Sequence, residues 1–260
     1  MRLPIYQVDA FTDRLFGGNP AAVVPVREWL EDATLQAIAA ENNLSETAFL
    51  LRRGDGYELR WFTPTVEVDL CGHATLASAY VVFRFLEPAR QRIAFATRQA
   101  GTLVVWRQGD ELAMDFPASP QKPAEAPPGL AVALGRSPRE VLVSRDWCAV
   151  YERESEIAAI TPDFAALRRL DRAVIVTAPG SGGVDFVSRY FAPGVGIDED
   201  PVTGGAHCQL IPYWAARLGK THLAARQVSQ RGGTLSCALE GDRVTIAGHA
   251  QLYLEGIITI

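Results

Sequence analysis

Apolar and polar positions along the chain mostly repeat with a period of two, broken by two long apolar stretches with helical spacing. Pro4 to Asp9 alternates and predicts a strand. The turn Phe16-Gly17-Gly18-Asn19-Pro20 leads into a short strand over Ala21 to Val24. Leu30, Leu35, Ile38 and Ala39 set a helix over Leu30 to Asn42. Thr47 to Leu51 and Tyr57 to Phe62 predict strands about the turn Gly54-Asp55-Gly56. Leu70 to Thr75 opens an apolar helix over Leu76 to Leu86, which stops before Pro88. Strands follow at Ile93 to Ala96, Gly101 to Gln108 and Glu111 to Phe116. In the second part, strands are predicted at Val141 to Ser144 and Cys148 to Glu152. Thr161-Pro162 is read as the N-cap and first-turn proline of a helix over Asp163 to Leu170. Ala173 to Ala178 and Asp185 to Phe191 are strands, and Thr203 to His207 opens an apolar helix over Cys208 to Leu218 that ends at Gly219-Lys220. Val228 to Gln230, Thr234 to Leu239, Arg243 to Ala247 and Ile257 to Ile260 complete the strands.

The two parts share an order. Each places a small-residue turn, Cys71-Gly72-His73-Ala74 or Thr203-Gly204-Gly205-Ala206, at the start of an apolar helix that follows several strands. Two readings fit this pattern: a repeated α+β half, or one α+β domain with two unrelated helices. Under the first, the halves are residues 1–116 and 129–249. Residues 117–128, within a stretch holding five prolines, form a linker, and a last strand near 250–260 returns to the first half.

Composition narrows the function. At about 150 residues per domain, 260 residues make one large domain or two small ones. The chain is 48% hydrophobic and 21% charged with a formal net charge of −5, which fits a globular protein and argues against a nucleic-acid partner. No stretch reaches the ~18 apolar residues of a membrane span, and no apolar run follows Arg2, so no signal peptide, no membrane partner and a cytoplasmic location are expected. The four cysteines (Cys71, Cys148, Cys208, Cys237) form no C-x-x-C pair, and no two histidines have i, i+4 spacing. Reduced thiols and no metal are therefore expected.

A helix apolar all round is buried, yet its first backbone N–H groups lack intrahelical acceptors. Gly72, Ala74, Gly204, Gly205 and Ala206 leave those groups approachable, which suits a small anionic ligand. Small residues also simply permit close helix packing. His73 lies in the first turn of its helix, where the helix end favours the neutral imidazole, a donor or proton shuttle. Asp200 precedes the second helix start and can orient a ligand or cap the helix. Glu46 stands at the edge of the apolar strand Thr47-Ala48-Phe49-Leu50, a position for general acid–base work or for a plain solvent-facing carboxylate.

Several runs resemble the PhzF (phenazine biosynthesis-like) family: Asp9-Ala10-Phe11-Thr12, Gly18-Asn19-Pro20-Ala21, Asn43 to Phe49, Arg60-Trp61-Phe62-Thr63-Pro64, Glu67 to Leu76, Asp198 to Gly204, and Gln230-Arg231-Gly232-Gly233. The resemblance spans nearly the whole chain. It implies the diaminopimelate-epimerase-type α+β fold: two pseudo-repeated halves, each a curved, mostly antiparallel, barrel-like sheet round a central apolar helix, with the active site in the cleft between them. It also implies a homodimeric isomerase needing no cofactor. In the characterised member, a glutamate moves a proton on trans-2,3-dihydro-3-hydroxyanthranilate. That glutamate falls on Glu46, the family histidine on His73 and the family aspartate on Asp200. Asn19, Gly72, Ala74, Thr75, Thr203, Gly204 and Gly205 are the substrate-binding positions expected beside them.

Gly205 stands where the family has a serine, which removes a hydroxyl and leaves the substrate open. Racemases of the same fold use two cysteines, one per half. Cys71 is at the first place, but Thr203 is at the second, and a hydroxyl cannot replace a thiolate. Cys208 lies about one and a half turns down the helix and is expected to be buried. The sequence therefore favours a proton-transfer isomerase on a small carboxylate-bearing metabolite. The alternative is a non-catalytic small-molecule-binding or protein-interaction protein of the same fold.

Overall fold

The computed structural model describes residues 1–260, which divide into two compact units: Met1–Asp115 with Ala247–Ile260, and Phe116–Ile246. In the first unit the strands are β1 (Arg2–Ala10), β2 (Asn19–Val26), β3 (Glu46–Arg53), β4 (Gly56–Phe62), β5 (Glu67–Val68), β6 (Arg92–Ala96), β7 (Thr102–Gln108) and β8 (Glu111–Pro117). Helix α1 (Asp32–Asn42) joins β2 to β3, and α2 (Gly72–Val81) joins β5 to β6. The strands pair in the order β1-β2-β3-β4-β6-β7-β8. Only the β2/β3 and β4/β6 pairs are parallel, and β5 lies along the end of β4. The chain's last strand, Ala250–Thr259, returns to the outer edge of β1.

Side-chain alternation explains why β2 reads as an unbroken apolar run. Ala22, Val24 and Val26 pack with Leu35, Ile38 and Ala39 of α1 and with Phe49 and Leu51 of β3. The intervening Ala21 and Val23 are fully buried on the opposite face, where α2 packs on β1, β2 and β3. Every α2 residue from His73 to Ala79 is buried, as an all-apolar helix requires. The sequence extends this helix to Leu86, but Val82–Leu86 forms a π turn, in which Glu87 N donates to Val82 O (2.7 Å), before Pro88 ends it.

The second unit has strands β9 (Lys122–Pro123), β10 (Glu140–Val143), β11 (Trp147–Val150), β12 (Val174–Pro179), β13 (Phe186–Ala192), β14 (Ile197–Asp200), β15 (His222–Gln227), β16 (Gly233–Glu240) and β17 (Arg243–Gly248). Its helices are α3 (Leu130–Leu134), α4 (Glu154–Ala158), α5 (Phe164–Leu167) and α6 (Gly204–Leu218). The stretch expected as a linker belongs to this unit, because Lys122 and Pro123 pair with Val143 and Leu142. The order β10-β11-β12-β13-β15-β16 again has two parallel pairs, β11/β12 and β13/β15, with β14 set on β13. This is the pairing diagram of β1-β2-β3-β4-β6-β7 with β5 on β4, so the two units are one α+β motif repeated. Within α6, Pro212 has no N–H for the Cys208 carbonyl, and Ser119 N supplies the missing donor at 2.9 Å.

The repeat also preserves a buttress. In the first unit, buried Arg60 of β4 grips Glu67 of β5 with two hydrogen bonds (2.7 and 2.8 Å) and lies over the ring of Phe62. In the second, Arg189 of β13 grips Glu199 of β14 in the same way (2.8 and 2.9 Å) and lies over Phe191. Each fork fixes the short strand that leads to the central helix. Three local expectations are corrected. The α5 cap is Asp163, whose carboxylate accepts from Ala166 N at 2.9 Å, not Thr161. Helix α6 starts at Gly204 instead of Cys208, and the last strand is ten residues long. No helix is long and apolar enough to cross a membrane.

Candidate active site

Four expected or adjacent polar side chains gather at one end of the first unit's sheet. Asn19 and Glu46 are the first residues of the neighbouring strands β2 and β3, and Cys71 and His73 flank the start of α2. Gly18 makes Asn19's position reachable: it has φ +61°, and a Cβ there would lie 2.1 Å from the carbonyl oxygen of Ala10. Asn43, in the left-handed conformation (φ 49°), ends α1 and turns the chain towards Glu46. Asn19 Nδ2 lies 3.1 Å from His73 Nδ1, and His73 Nε2 lies 3.1 Å from Glu46 Oε2. A cationic His73 carries a proton on both ring nitrogens, with Nε2–H facing Glu46 and Nδ1–H facing the Asn19 side-chain amide, whose oxygen is the group that can accept it. The buried Glu46 Oε2 has the His73 imidazole as its ion-pair partner at 3.1 Å and no other donor. Cys71 Sγ lies 3.5 Å from His73 Nδ1 and 4.0 Å from Nε2.

These groups alter one another. Burial opposes a charge on His73, as does the helix N-terminus. Cys71 and the adjacent Glu46 carboxylate outweigh both and hold the imidazole well above its ordinary range. His73 is thus the cationic partner of Glu46, not the neutral donor that its helix position alone suggests. Burial, with Glu46 nearby, pushes the Cys71 thiol up to about 11. Ala74 and Thr75 are fully buried, and the Thr75 hydroxyl donates to Cys71 O at 2.6 Å. They shape the helix start and present no side-chain donor to a ligand.

In the second unit, Asp200, Thr203, Gly204 and Gly205 form a second cluster. Thr203 Oγ1 donates to Asp200 Oδ2 at 2.5 Å, and buried Gln227 ties the loop together. Gln227 accepts from Thr203 N at 2.9 Å and donates to Asp200 O at 2.7 Å. Asp200 therefore holds the Thr203 hydroxyl and does not cap α6, whose N-terminus has no side-chain cap. A Cβ at Gly205 would sit 2.6 Å from Arg145 Nη2, so the guanidinium fills the space a serine side chain would take. Cys208 is half-buried instead of buried, and burial raises its thiol to about 12. The sequence reading did not single out Gln227 or Arg145. Both come from strands or loops distant in the chain, and no local signal marks them.

Residues 8–256 match the phenazine biosynthesis-like protein family. Two uncharacterized isomerases of Pseudomonas aeruginosa are similar to the chain. One is 56% identical over 259 residues, covering 99% of each chain, and the other 53% identical over 262 residues, covering 100% of each. The crystal structure of a PhzF family phenazine biosynthesis protein from Enterococcus faecalis superposes with a TM-score of 0.97 at 47% identity, covering 100% of both chains.

Proposed function

The chain belongs to the PhzF, phenazine biosynthesis-like, protein family, whose similar members include named isomerases, and we propose that it moves a proton on a small carboxylate-bearing metabolite. The observation that carries this reading is the buried Glu46–His73 pair, in which a carboxylate oxygen with no other donor faces a cationic imidazole. Such a carboxylate suits proton abstraction from carbon, since no donor other than His73 stands against Oε2. Glu46 takes the proton and returns it elsewhere on the same skeleton. His73 stabilises the carboxylate and the negative charge that develops on the substrate, and Asn19 fixes the imidazole ring.

In the first unit, the first-turn N–H of Gly72 suits an anionic group of the substrate. By family resemblance, Asp200, Thr203, Gly204 and Gly205 of the second unit are substrate-binding residues. Arg145 beside Gly205 places a cation where the family serine has a hydroxyl, which favours a carboxylate there. A homodimer in the cytoplasm completes this reading by family resemblance.

The test is hydrogen exchange. The protein is incubated in deuterated water with trans-2,3-dihydro-3-hydroxyanthranilate and with carboxylate metabolites from a cell extract, and deuterium uptake into carbon is followed by mass spectrometry. Wild type incorporates deuterium into at least one compound. Glu46→Gln lowers the rate by about 10²-fold or more, the scale of a lost general base. Equal rates for the two proteins remove Glu46 from the mechanism. The loss of the family serine at Gly205 favours a second reading, a binding protein without turnover. A ligand that co-purifies tightly and never exchanges selects it.

A further inference from the structure

Cys71 has no part in the proton transfer proposed above, yet its sulfur is one of three ligand-type atoms within 4.8 Å of one another, the others belonging to Glu46 and His73. All three residues are nearly buried, at 7%, 8% and 5% exposure. We propose that Cys71 Sγ, His73 Nε2 and Glu46 Oε2 form a site for a thiophilic divalent cation of the zinc class, and that its occupancy silences Glu46. The silencing rests on the isomerase reading; the binding does not.

Geometry supports the donor set. Around a tetrahedral ion with bonds of about 2.0–2.3 Å, neighbouring ligand atoms stand about 3.3–3.6 Å apart. The Nε2–Oε2 distance of 3.1 Å is already near that spacing. The Sγ–Nε2 distance of 4.0 Å closes by about half an ångström through rotation of the Cys71 side chain. Glu46 Oε2, buried with no donor but His73, is a ready ligand. Ligation at Nε2 leaves the ring proton on Nδ1, which faces the Asn19 side-chain amide 3.1 Å away. That is where metal-bound histidines ordinarily make their outer hydrogen bond.

Ligand chemistry supports the same set: a dication bound by a thiolate, a neutral imidazole and a carboxylate leaves the loaded site with no net charge. The chemistry is selective: a thiolate with an imidazole prefers zinc, cobalt or cadmium over magnesium or calcium. With its carboxylate on the ion, Glu46 has no free lone pair directed at a carbon acid.

Cobalt(II) reports this site directly. Reduced wild-type protein titrated with Co²⁺ is expected to bind one ion per chain and develop a near-ultraviolet thiolate charge-transfer band that Zn²⁺ bleaches. Cys71→Ala loses the band and Cys208→Ala keeps it, while Glu46→Gln weakens binding at least tenfold. On the unmutated chain, Zn²⁺ protects Cys71 from alkylation by iodoacetamide, read by peptide mass spectrometry, so the result does not depend on a variant folding. No band, a band that survives Cys71→Ala, or unchanged Cys71 alkylation overturns the site. Stoichiometric Zn²⁺ is also expected to stop the Glu46-dependent deuterium exchange. Exchange that continues with the site saturated overturns the silencing. A protein that binds cobalt in this way but exchanges no compound even when metal-free contradicts the isomerase reading and leaves the cation site standing.

Discussion

His207 of α6 shows how a single buried group sets a pH limit on the fold. Its Nδ1–H donates to Thr203 O at 2.8 Å, which fixes the neutral tautomer. Nε2 is buried without a partner, and the ring lies against Phe186. Burial lowers its pKa to about 4, opposed only by the Thr203 bond. The folded state keeps the ring neutral, whereas the unfolded chain protonates it below about 6.5. Its contribution to stability is therefore complete above pH 6.5 and is lost as pH falls towards 4. At 1.36 kcal/mol per pKa unit the loss is roughly 3 kcal/mol. Urea unfolding of wild type and His207→Gln at pH 7.5 and pH 4 is expected to show wild type losing roughly 3 kcal/mol more than the variant over that interval. Equal losses refute the assignment. His73 has the opposite sign, since its raised pKa favours folding at low pH and that benefit is lost as pH rises. It is present in both proteins and drops out of the comparison.

At the scale of elements, the repeated Arg–Glu fork argues that β5 and β14 are held less by their own few ladder bonds than by one side chain each. Arg60 is 2% exposed and also contacts Asp32 at 2.8 Å and the ring of Trp29. Removing Arg189 alone leaves the half-buried Glu199 carboxylate without its partner, which costs about 3 kcal/mol, whereas Glu67 keeps Arg98 at 3.0 Å when Arg60 is removed. Arg189→Met is expected to lower stability by about that amount in urea, and Arg60→Met by less. The paired changes Arg60→Met/Glu67→Leu and Arg189→Met/Glu199→Leu recover most of it, because no lone charge remains. A paired variant no more stable than its single parent contradicts the account. Arg189→Met also loosens Asp200, the residue after Glu199, and is expected to raise KM more than it lowers kcat for any substrate found by deuterium exchange. The longer strands were legible in the sequence because their side chains alternate, except β15, which spans His222–Gln227 and not the expected Val228 to Gln230, and the two central helices because they are apolar all round. The last strand was legible only at its tip, since Tyr253, Leu254 and Ile257 are apolar and exposed, which erases the alternation. Helices α3 and α4, five residues each, are too short to show a period. Glu46 and His73 were legible through their motifs. The raised His73 pKa was not, because besides Cys71 it depends on Glu46 arriving from another strand.

On the scale of the whole molecule, the chain closes the first unit with its last segment. Strand β1 pairs with β2 only from Tyr6 to Ala10, so Arg2 to Ile5 are held in the sheet by Leu3↔Ile258 and its neighbours alone. Met1 also hydrogen-bonds Ile260. The same strand lies beside β2, which begins with Asn19, and under α2, which carries His73. Folding of the Glu46–His73 cluster therefore depends on residues about 200 positions away, a long loop to close before its contacts form. Deletion of residues 250–260 exposes one whole edge of β1 and unpairs its first half. Hydrogen exchange of the truncated chain, read by mass spectrometry, is expected to show peptides 2–10 and 19–26 exchanging freely while peptides 147–150 and 174–192 of the second unit stay protected. The truncated protein loses the wild-type deuterium exchange into substrate along with that protection. Protection of 2–10 equal to that of the full chain shows that β1 does not need the last strand.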